Sequence, residues 1–430
     1  MKKVIVAGAG IGGLSAAVNL AKNGFDVTVI ETKQKNELGY DWRDTILKEI
    51  FERADISVPD DSHFEPHVKV CYRNPDKSRK LVSLLEPDKR VVSVDRKFLA
   101  SHLVAEAEKY SVKFIFGTEI ESALFSDGRV VGVKTSDGKF YSDLVIDSAG
   151  IQSAVRNSLP ESAGVCKGTP KTDTLYTYRA YYERITDEMS DPPFHFYFYH
   201  MGRKGIDWVI THKDYIDILL GSFSPLTDKD IDDAVNDFRD EFPYMGTKIL
   251  RGGQMSRIPL GRTLPVIVCD GYAAVGDSAV MIEPLSGSGI SQSMLGGKIL
   301  AETVINSCSG ELTKEILWKY QYRYFKEFAE KNIPDDIIKG FLSYTSAGEL
   351  DYLVKSRILT EKEFSGGSDI KLTFGDIMTK VGALLRRPVL IKKLLTIAKS
   401  LMKYKKVCAS MPSEYDREAI EKWQSAYIEF

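Results

Sequence analysis

The first residues of the chain that could do chemistry form a glycine-rich loop. The loop consists of Gly8, Ala9, Gly10, Ile11, Gly12 and Gly13. Glycines at this spacing let a backbone approach a pyrophosphate closely, and a helix that starts within the loop adds free N–H groups and a positive dipole. Glu31 follows 18 residues after Gly13, where a carboxylate can accept hydrogen bonds from ribose hydroxyls, and Thr32 stands beside it. These residues predict a site for a dinucleotide.

The elements around this loop are those that a dinucleotide site requires. Residues 4–7 predict a buried strand, residues 14–22 carry apolar side chains at helical spacing, and residues 27–30 predict a second strand. Gly8 permits the tight turn, and Gly13 permits close packing of the helix on the strand. The segment therefore reads as one βαβ unit. A glycine turn that binds nothing is the alternative interpretation.

A second candidate region begins in the second half of the chain. Short strands are predicted at 266–268 and 272–275, and Asp277 follows the second of them. A loop then leads into a helix predicted over 290–305, with Gly287, Ser288, Gly289 and Ile290 at its start. Backbone amides at a helix start favour negative charge. A strand, loop and helix without a ligand would give the same pattern.

The two regions together resemble the p-hydroxybenzoate-hydroxylase-type FAD fold and, within it, the geranylgeranyl reductase family. The resemblance implies that FAD is the dinucleotide and that Asp277 binds its ribityl hydroxyls. It also implies that the backbone amides of the second loop meet the flavin pyrimidine. These amides belong to Gly287, Ser288, Gly289 and Ile290.

Two further segments share this resemblance. The sequence DRKFL at 95–99 places Arg96 near the cofactor phosphates, although a solvated arginine at a helix start is the alternative. The sequence DSAGIQSAVR at 147–156 places Gly150 at the cofactor, although a plain turn glycine is the alternative. In this segment Ala149 stands where the family has an aspartate, which weakens the case for direct use of NADPH.

Aromatic and charged residues elsewhere are candidates for a substrate site. Trp42 and Arg43 lie where the family's chain passes the flavin ring, but a capped helix start at Asp44 is equally expected. Strand-like runs fill 174–223, and Tyr197 and Trp208 could roof an apolar pocket there. Alternation puts phenylalanines 194, 196 and 198 on a core face and Tyr197 on an amphipathic face, and packing on helices gives the same pattern. No residue stands out as a proton donor, so no catalytic residue is named.

Composition limits the partners and the location of the protein. The 430 residues carry a formal net charge of −2 and are 43% hydrophobic, which excludes a general attraction for nucleic acid. The five cysteines form no C-x-x-C pair, and the histidines lack metal-ligand spacing, so no metal site is expected. No signal peptide or apolar run of about 18 residues is found, and we expect a cytoplasmic protein.

A basic segment near the end of the chain suggests a contact with a membrane. No acidic residue occurs between 377 and 413, and apolar residues recur at helical spacing over 389–406. A basic amphipathic helix of this kind can lie in the headgroup region of an anionic membrane. A helix that packs on the protein body and exposes its lysines is the alternative.

The predicted architecture is α/β with three parts. A Rossmann-like FAD-binding domain, βαβ with an added β-meander, takes residues 1–72, 93–165 and 255–310. An antiparallel-sheet substrate domain takes residues 73–92 and 166–254, and a helical region takes residues 311–430.

The leading functional hypothesis is a reductase of carbon–carbon double bonds in an isoprenoid or other lipid-like substrate, with hydride transfer from reduced flavin. Its partners would be a small apolar substrate and an external electron donor, either NADPH or a reduced carrier protein. The same fold hosts other chemistry. An FAD-dependent monooxygenase that hydroxylates aromatic or lipid substrates through a flavin hydroperoxide, and a non-catalytic flavoprotein electron carrier, are the alternatives.

Overall fold

The computed structural model describes residues 2–83, 88–168, 174–307, 310–361, 380 and 382–429. Its nucleotide-binding part is built on a six-stranded sheet whose neighbouring strands are parallel, except for one antiparallel pair at the edge. In order across the sheet, the strands are β18 (Val268–Cys269), β19 (Tyr272–Ala274), β12 (Leu144–Asp147), β1 (Lys3–Ala7), β2 (Asp26–Glu31) and β8 (Lys113–Phe116). The continuous apolar runs of these strands suit a parallel sheet, which is buried on both faces.

Three helices pack together beside this sheet. They are α1 (Ile11–Lys22), α3 (Arg96–Lys109) and α6 (Ile290–Ile305). Helix α1 contacts both of the others. It approaches α6 so closely that a Cβ atom on Gly297 would overlap the carbonyl oxygen of Gly12. Glycine is therefore required where the two helices cross.

A three-stranded antiparallel meander accompanies the nucleotide fold. Its strands are β9 (Ile120–Ser126), β10 (Arg129–Thr135) and β11 (Gly138–Tyr141). The turn between β9 and β10 contains Asp127 and Gly128, and both residues have left-handed backbone angles. The strands on either side of the meander, β8 (Lys113–Phe116) and β12 (Leu144–Asp147), belong to the parallel sheet.

The second large sheet has seven strands. In order they are β17 (Met245–Pro259), β13 (Thr174–Arg184), β16 (Tyr215–Ser222), β15 (Gly205–Thr211), β14 (Phe194–Phe198), β5 (Val70–Arg73) and β6 (Lys80–Val82). All neighbours are antiparallel except β14 and β5. Helix α5 (Asp228–Glu241) covers one face. Residues 70–72 and 255–259 belong to this sheet, a few residues beyond the predicted boundaries.

A small sheet joins the two parts. Its strands lie in the order β3 (Arg43–Leu47), β7 (Val91–Asp95) and β4 (Phe64–Pro66). Asp44 lies inside β3, so the predicted helix start at this residue is wrong. Pairing with β7, about 50 residues away in sequence, decides the local structure here. The short helices α2 (Ile50–Arg53) and α4 (Ala154–Ser158) complete this part of the chain.

The C-terminal region is helical, as predicted. It contains α7 (Lys314–Tyr324), a π-helical turn (Phe325–Ala329), α8 (Glu330–Tyr344), α9 (Ala347–Lys355), α10 (Pro388–Ala409) and α11 (Arg417–Ile428). Trp318 and Trp423 are buried in the main core, so this region packs on the nucleotide fold. Residues 377–379 and 381 of the basic segment lie outside the described residues. Within the described chain, no helix has the length and apolar character needed to span a bilayer.

Candidate functional site

The glycine loop packs directly against Ser148, the residue after β12. Gly8 has φ +86°, and a Cβ atom on it would lie 2.8 Å from the Ser148 carbonyl oxygen. A Cβ atom on Gly13 would lie 2.5 Å from Ser148 Cβ and 2.7 Å from Val6 Cγ1, while one on Gly10 would overlap the Ser148 hydroxyl. The loop therefore tolerates no side chain at these three positions. Sequence reasoning missed Ser148, although it lies within the segment 147–156.

The N-terminus of α1 is open to an anion. Its N-cap residue is Gly10, which offers no side-chain cap, and the first turn contains no acidic residue. Ser148 Oγ accepts a hydrogen bond from the Gly13 N–H at 3.1 Å. The N–H groups of Ile11 and Gly12 have no acceptor within the helix and carry the positive end of its dipole. This is the arrangement that holds phosphate oxygens.

Glu31 lies beside this loop. Its Oε2 atom accepts a hydrogen bond from the Ala9 N–H at 2.7 Å, and its Oε1 atom accepts one from the Lys33 N–H at 2.9 Å. Each carboxylate oxygen keeps a lone pair for another donor. Thr32 is exposed next to it. The structure thus brings together the loop and the carboxylate that the sequence singled out.

Asp277 lies in a short turn, Gly276–Ser278, between β19 and α6. Its side chain is accessible, yet desolvation raises its pKa above the usual range, and the nearby Arg96 guanidinium lowers it. These two properties together describe a carboxyl at the bottom of a cleft rather than on the open surface. Hydroxyl groups of a ligand in that cleft could donate hydrogen bonds to it.

The start of α6 forms a second open helix N-terminus. Gly289 is the N-cap residue, without a side-chain cap, and no acidic residue lies in the first turn. The Gly287 N–H donates to the Glu283 carbonyl at 2.9 Å, and the Ser288 N–H donates to Ser286 Oγ at 3.1 Å. These two amides are used inside the loop, which corrects the expectation that all four face a ligand. The helix start at Gly289 and Ile290 supplies the remaining donors.

Gly150 connects the segment 147–156 to Asp277. It has φ +86°, and its N–H donates to Ser278 Oγ at 2.8 Å. Ser278 Oγ also donates to the buried carboxylate of Asp147 at 2.9 Å, which accepts a second hydrogen bond from the Tyr272 hydroxyl at 2.8 Å. Gly150 is therefore part of the wall of the cleft. Sequence reasoning missed the contribution of Ser278 and Asp147.

Arg96 begins α3 and faces the same cleft. Its Nη1 atom donates to Asp44 Oδ2 at 2.8 Å, and its guanidinium lies 5.4 Å from the ring centre of Tyr40. Its Nε atom is buried and has no hydrogen-bond partner among the described residues. Arg96 is not the solvated arginine of the alternative interpretation, because its side chain is 21% exposed.

Asp44 also binds Arg179, which lies on β13 of the large sheet. Arg179 Nη1 donates to Asp44 Oδ1 at 2.7 Å, and its Nε and Nη2 atoms donate to the two oxygens of Asp217 at 3.0 Å and 2.6 Å. Burial alone would lower the pKa of Arg179, but the two carboxylates hold it above its usual value. Sequence reasoning missed Arg179, because it stands in a run of tyrosines where nothing marks it as special.

The two substrate candidates near the loop, Trp42 and Arg43, lie in different surroundings. Trp42 is buried and stacks on Tyr40 with 4.4 Å between ring centres. Arg43 instead donates its guanidinium hydrogens to the carbonyls of His63 and Ser93 at 2.9 Å and 2.8 Å, inside the small sheet. Both bonds come from Nη2 and hold the guanidinium against the small sheet, and a contact between Arg43 and a substrate stays a prediction.

Tyr197 and Trp208 lie on opposite faces of the large sheet. Tyr197 is 1% exposed and packs 5.2 Å from Phe238 of α5, so its predicted role in a substrate pocket is wrong. Trp208 pairs with Phe196 on the other face, where its ring lies 5.5 Å from Arg179. Its Nε1 atom is buried without a hydrogen-bond partner among the described residues.

The phenylalanine face of this sheet is the accessible one. Its members are Phe194, Phe196, Phe198, Ile206, Trp208 and Ile210, all partly exposed. The sequence predicted the reverse, with the phenylalanines in the core, because alternation separates two faces without indicating which face a helix covers. Here α5 covers the face of His195 and Tyr197. Across the described ranges, no cluster of side chains could hold a metal ion.

A βαβ unit with a glycine loop, joined to a second helix start beside an accessible carboxylate, defines a flavoprotein of the dinucleotide-binding class. The family model described as FAD dependent oxidoreductase matches residues 52–303, and a model described as FAD binding domain matches residues 3–77. The chain belongs to the FAD-dependent oxidoreductase family and uses FAD as its cofactor.

Known relatives confirm the resemblance to geranylgeranyl reductases. A digeranylgeranylglycerophospholipid reductase of Sulfolobus acidocaldarius is 22% identical, over 95% of this chain and 93% of that protein. Digeranylgeranylglycerophospholipid reductase 1 of Methanothermobacter thermautotrophicus is 26% identical, over 89% of this chain and 96% of that protein. A solved geranylgeranyl bacteriochlorophyll reductase-like structure from Thermoplasma acidophilum has a TM-score of 0.72 at 20% identity, covering 92% of this chain and 99% of that one. The last similarity establishes the common fold.

Proposed function

We propose that FAD lies across the two open helix N-termini. The loop before α1 and the carboxylate of Glu31 would hold the adenosine diphosphate end, and Asp277 with the start of α6 would hold the flavin end. Arg96 and Gly150 would complete the cleft. The proposed FAD ligands are Gly8, Ala9, Gly10, Ile11, Gly12, Gly13, Glu31, Thr32, Arg96, Gly150, Asp277, Gly289 and Ile290.

We further propose that the protein reduces carbon–carbon double bonds of an isoprenoid or other lipid-like substrate. Bound FAD, once reduced, supplies the hydride for this reaction. The observation that carries the proposal is the accessible apolar face of the large sheet, which bears Phe196 and Trp208. This face adjoins Arg179, which is linked to Arg96 through the carboxylate of Asp44. An apolar wall beside the cofactor cleft is suited to a chain without polar groups. The reductase names of the relatives support the same substrate class.

The apolar wall also favours the exclusion of water from the reacting carbons. Trp42 and Trp208 both contact Arg179, with guanidinium-to-ring distances of 5.8 Å and 5.5 Å. All the charge of Arg179 is met by Asp44 and Asp217, so this arginine keeps its position and is not a binding site for an anionic headgroup. A lipid substrate and a basic helix together favour a protein that works at a lipid surface.

The reaction can be tested with purified protein under anaerobic conditions. After reduction by dithionite, we expect a polyprenyl lipid to reoxidise the flavin absorbance and to gain two mass units for each double bond reduced. A saturated lipid of the same length is the matched control. In a parallel assay in air, oxygen consumption with substrate-stimulated NADPH oxidation and a product heavier by one oxygen atom would instead establish the monooxygenase. A reduced protein that passes its electrons to an added oxidised carrier protein, and to no lipid, would favour the electron carrier.

We propose that the electrons come from an external donor, NADPH or a reduced carrier protein. Ala149 stands beside Gly150 at the cleft, where the family has an aspartate, and this difference favours a carrier protein. Anaerobic mixing with NADPH should therefore bleach the flavin far more slowly than mixing with a reduced low-potential carrier such as ferredoxin. Equal rates with both donors would contradict this choice.

A further inference from the structure

Helix α10 has two apolar sides. Leu390 and Cys408 are buried on the side that packs against the protein body, where α10 contacts α8. On the outer side, Leu395 is 57% exposed and Met402 is 63% exposed. Residues seven positions apart lie on the same side of a helix, and exposed Ala398 lies between them. A helix whose only task is to pack on the body would need a single apolar side.

Lysines flank the outer apolar side. The helix carries six lysines and no acidic residue, in a chain whose formal net charge is −2. Lys392, Lys399 and Lys406 are exposed and follow the 3.6-residue spacing along one edge of the outer side. Lys393 turns inward and pairs with Glu349 at 2.7 Å, which fixes the helix to α9. The outer side is therefore apolar in its centre and positive along its edge.

The buried side of α10 reaches the accessible face of the large sheet. Leu390 belongs to an apolar cluster with Leu353 and Tyr199, and Phe198 packs against that cluster. Phe198 is the last residue of β14, which carries Phe194 and Phe196 on the same face. The basic helix and the apolar face thus adjoin each other.

We propose that the outer side of α10 docks on an anionic lipid surface, with Leu395 and Met402 inserted among the acyl chains and Lys392, Lys399 and Lys406 at the headgroups. Apolar insertion flanked by positive charge is the property that distinguishes an interfacial helix from a solvated one. A lipid surface fits better than a protein partner, because Lys392, Lys399 and Lys406 form no ion pair with any described residue and a lipid surface offers many anionic groups in one plane. Docking depends on this surface alone and does not require the proposed reaction.

The test is sedimentation of the FAD-loaded protein with lipid vesicles at low and physiological salt. We expect binding to vesicles of phosphatidylglycerol and phosphatidylcholine in equal amounts and at least about tenfold weaker binding to phosphatidylcholine alone. The variants Leu395→Glu/Met402→Glu and Lys392→Glu/Lys399→Glu should each weaken binding by about tenfold or more. Flavin absorbance and the thermal midpoint should stay those of the unaltered protein, because these four side chains point outward.

Matched control variants separate docking from a general change of charge or hydrophobicity. Ile185→Glu/Met189→Glu replaces two exposed apolar residues of the large sheet region, and Lys139→Glu/Lys319→Glu reverses two exposed lysines elsewhere. Both controls should bind vesicles like the unaltered protein. The proposal is overturned if the controls weaken binding as much as the α10 variants, or if the unaltered protein remains in the supernatant. A dimer that Leu395→Glu/Met402→Glu dissociates, with no vesicle binding, would assign the surface to a second copy of the chain.

Discussion

Asp44 accepts a hydrogen bond from Arg179 at 2.7 Å, across the boundary between the small sheet and the large sheet. The other oxygen of the same carboxylate accepts from Arg96 at 2.8 Å. One carboxylate therefore connects the cofactor cleft to the apolar face proposed for the substrate. A shift of the large sheet relative to the cleft would have to break one of these two charged contacts.

Neutralising either of the two carboxylates that bind Arg179 should destabilise the protein, but to different extents. Asp217 is almost fully buried and binds Arg179 through two hydrogen bonds, so Asp217→Asn should lower the free energy of unfolding by about 3 kcal/mol or more. Asp44 is 29% exposed, and Asp44→Asn should cost about 1–2 kcal/mol. Urea unfolding of both variants measures the difference. Equal losses would contradict the view that Asp217 is the principal partner.

The glycine loop should reject even one added methyl group. Gly13→Ala would place a Cβ atom 2.5 Å from Ser148 Cβ, so we expect a loss of about 1–3 kcal/mol in the free energy of unfolding and reduced FAD content. Gly340→Ala is the matched control, because Gly340 lies inside α8 with no atom near its added Cβ. That control should raise the stability by about 0.5–1 kcal/mol. The ratio of flavin to protein absorbance and the thermal midpoint report both effects.

The stability of the FAD-free protein should fall as pH rises through the titration of Asp277. Desolvation raises the pKa of this carboxyl in the folded state, so the folded protein binds its proton more tightly than the unfolded chain does. The protonated Asp277 carboxyl contributes fully to the free energy of unfolding below the pKa it has in the unfolded chain. This contribution is lost as the pH rises through the pKa it has in the folded protein. Asp277→Asn should remove this dependence and stabilise the FAD-free protein at neutral pH while weakening FAD binding. Denaturant unfolding at acidic and neutral pH, with FAD titration, tests both parts.

Trp208 and Tyr197 should respond differently to truncation. Trp208→Ala removes part of the accessible apolar face, and it should raise the KM for a lipid substrate by about tenfold with little loss of FAD. Tyr197→Ala removes a ring buried under α5, and it should lower the free energy of unfolding by about 3–5 kcal/mol. Steady-state kinetics and urea unfolding on both variants separate the two roles. A large increase in KM for Tyr197→Phe, which keeps the ring, would indicate that Tyr197 contacts the substrate after all.

The sequence was sufficient for those parts of the fold that depend on neighbouring residues. The βαβ unit, α3 and the helix at 290–305 all formed where apolar spacing, turn residues and capping predicted them. Local signals also placed Glu31 beside the loop and Asp277 at the end of a strand. These elements depend on contacts within a few turns of the chain, which a pattern of apolar residues reports directly.

The parts that sequence patterns missed depend on distant pairing. Residues 43–47 form a strand because residues 91–95 pair with them, and no residue near 43–47 in the sequence indicates that partner. The covered face of the large sheet was assigned wrongly. Helix α5, which begins about 30 residues after β14, determines which face is covered. Arg179 was missed since its two acidic partners come from two other strands. Each of these is a three-dimensional relationship with no fixed spacing in the sequence.

The contact between Gly12 and Gly297 has a consequence for the biosynthesis of the protein. The first helix of the cofactor site leaves the ribosome early, but the helix that fixes its position follows only after more than half of the chain has been made. A nascent chain can form the N-terminal βαβ unit without being able to enclose the flavin. The proposed FAD site is therefore complete only late in synthesis, and we expect truncated products that end before α6 to lack the yellow colour of a flavoprotein.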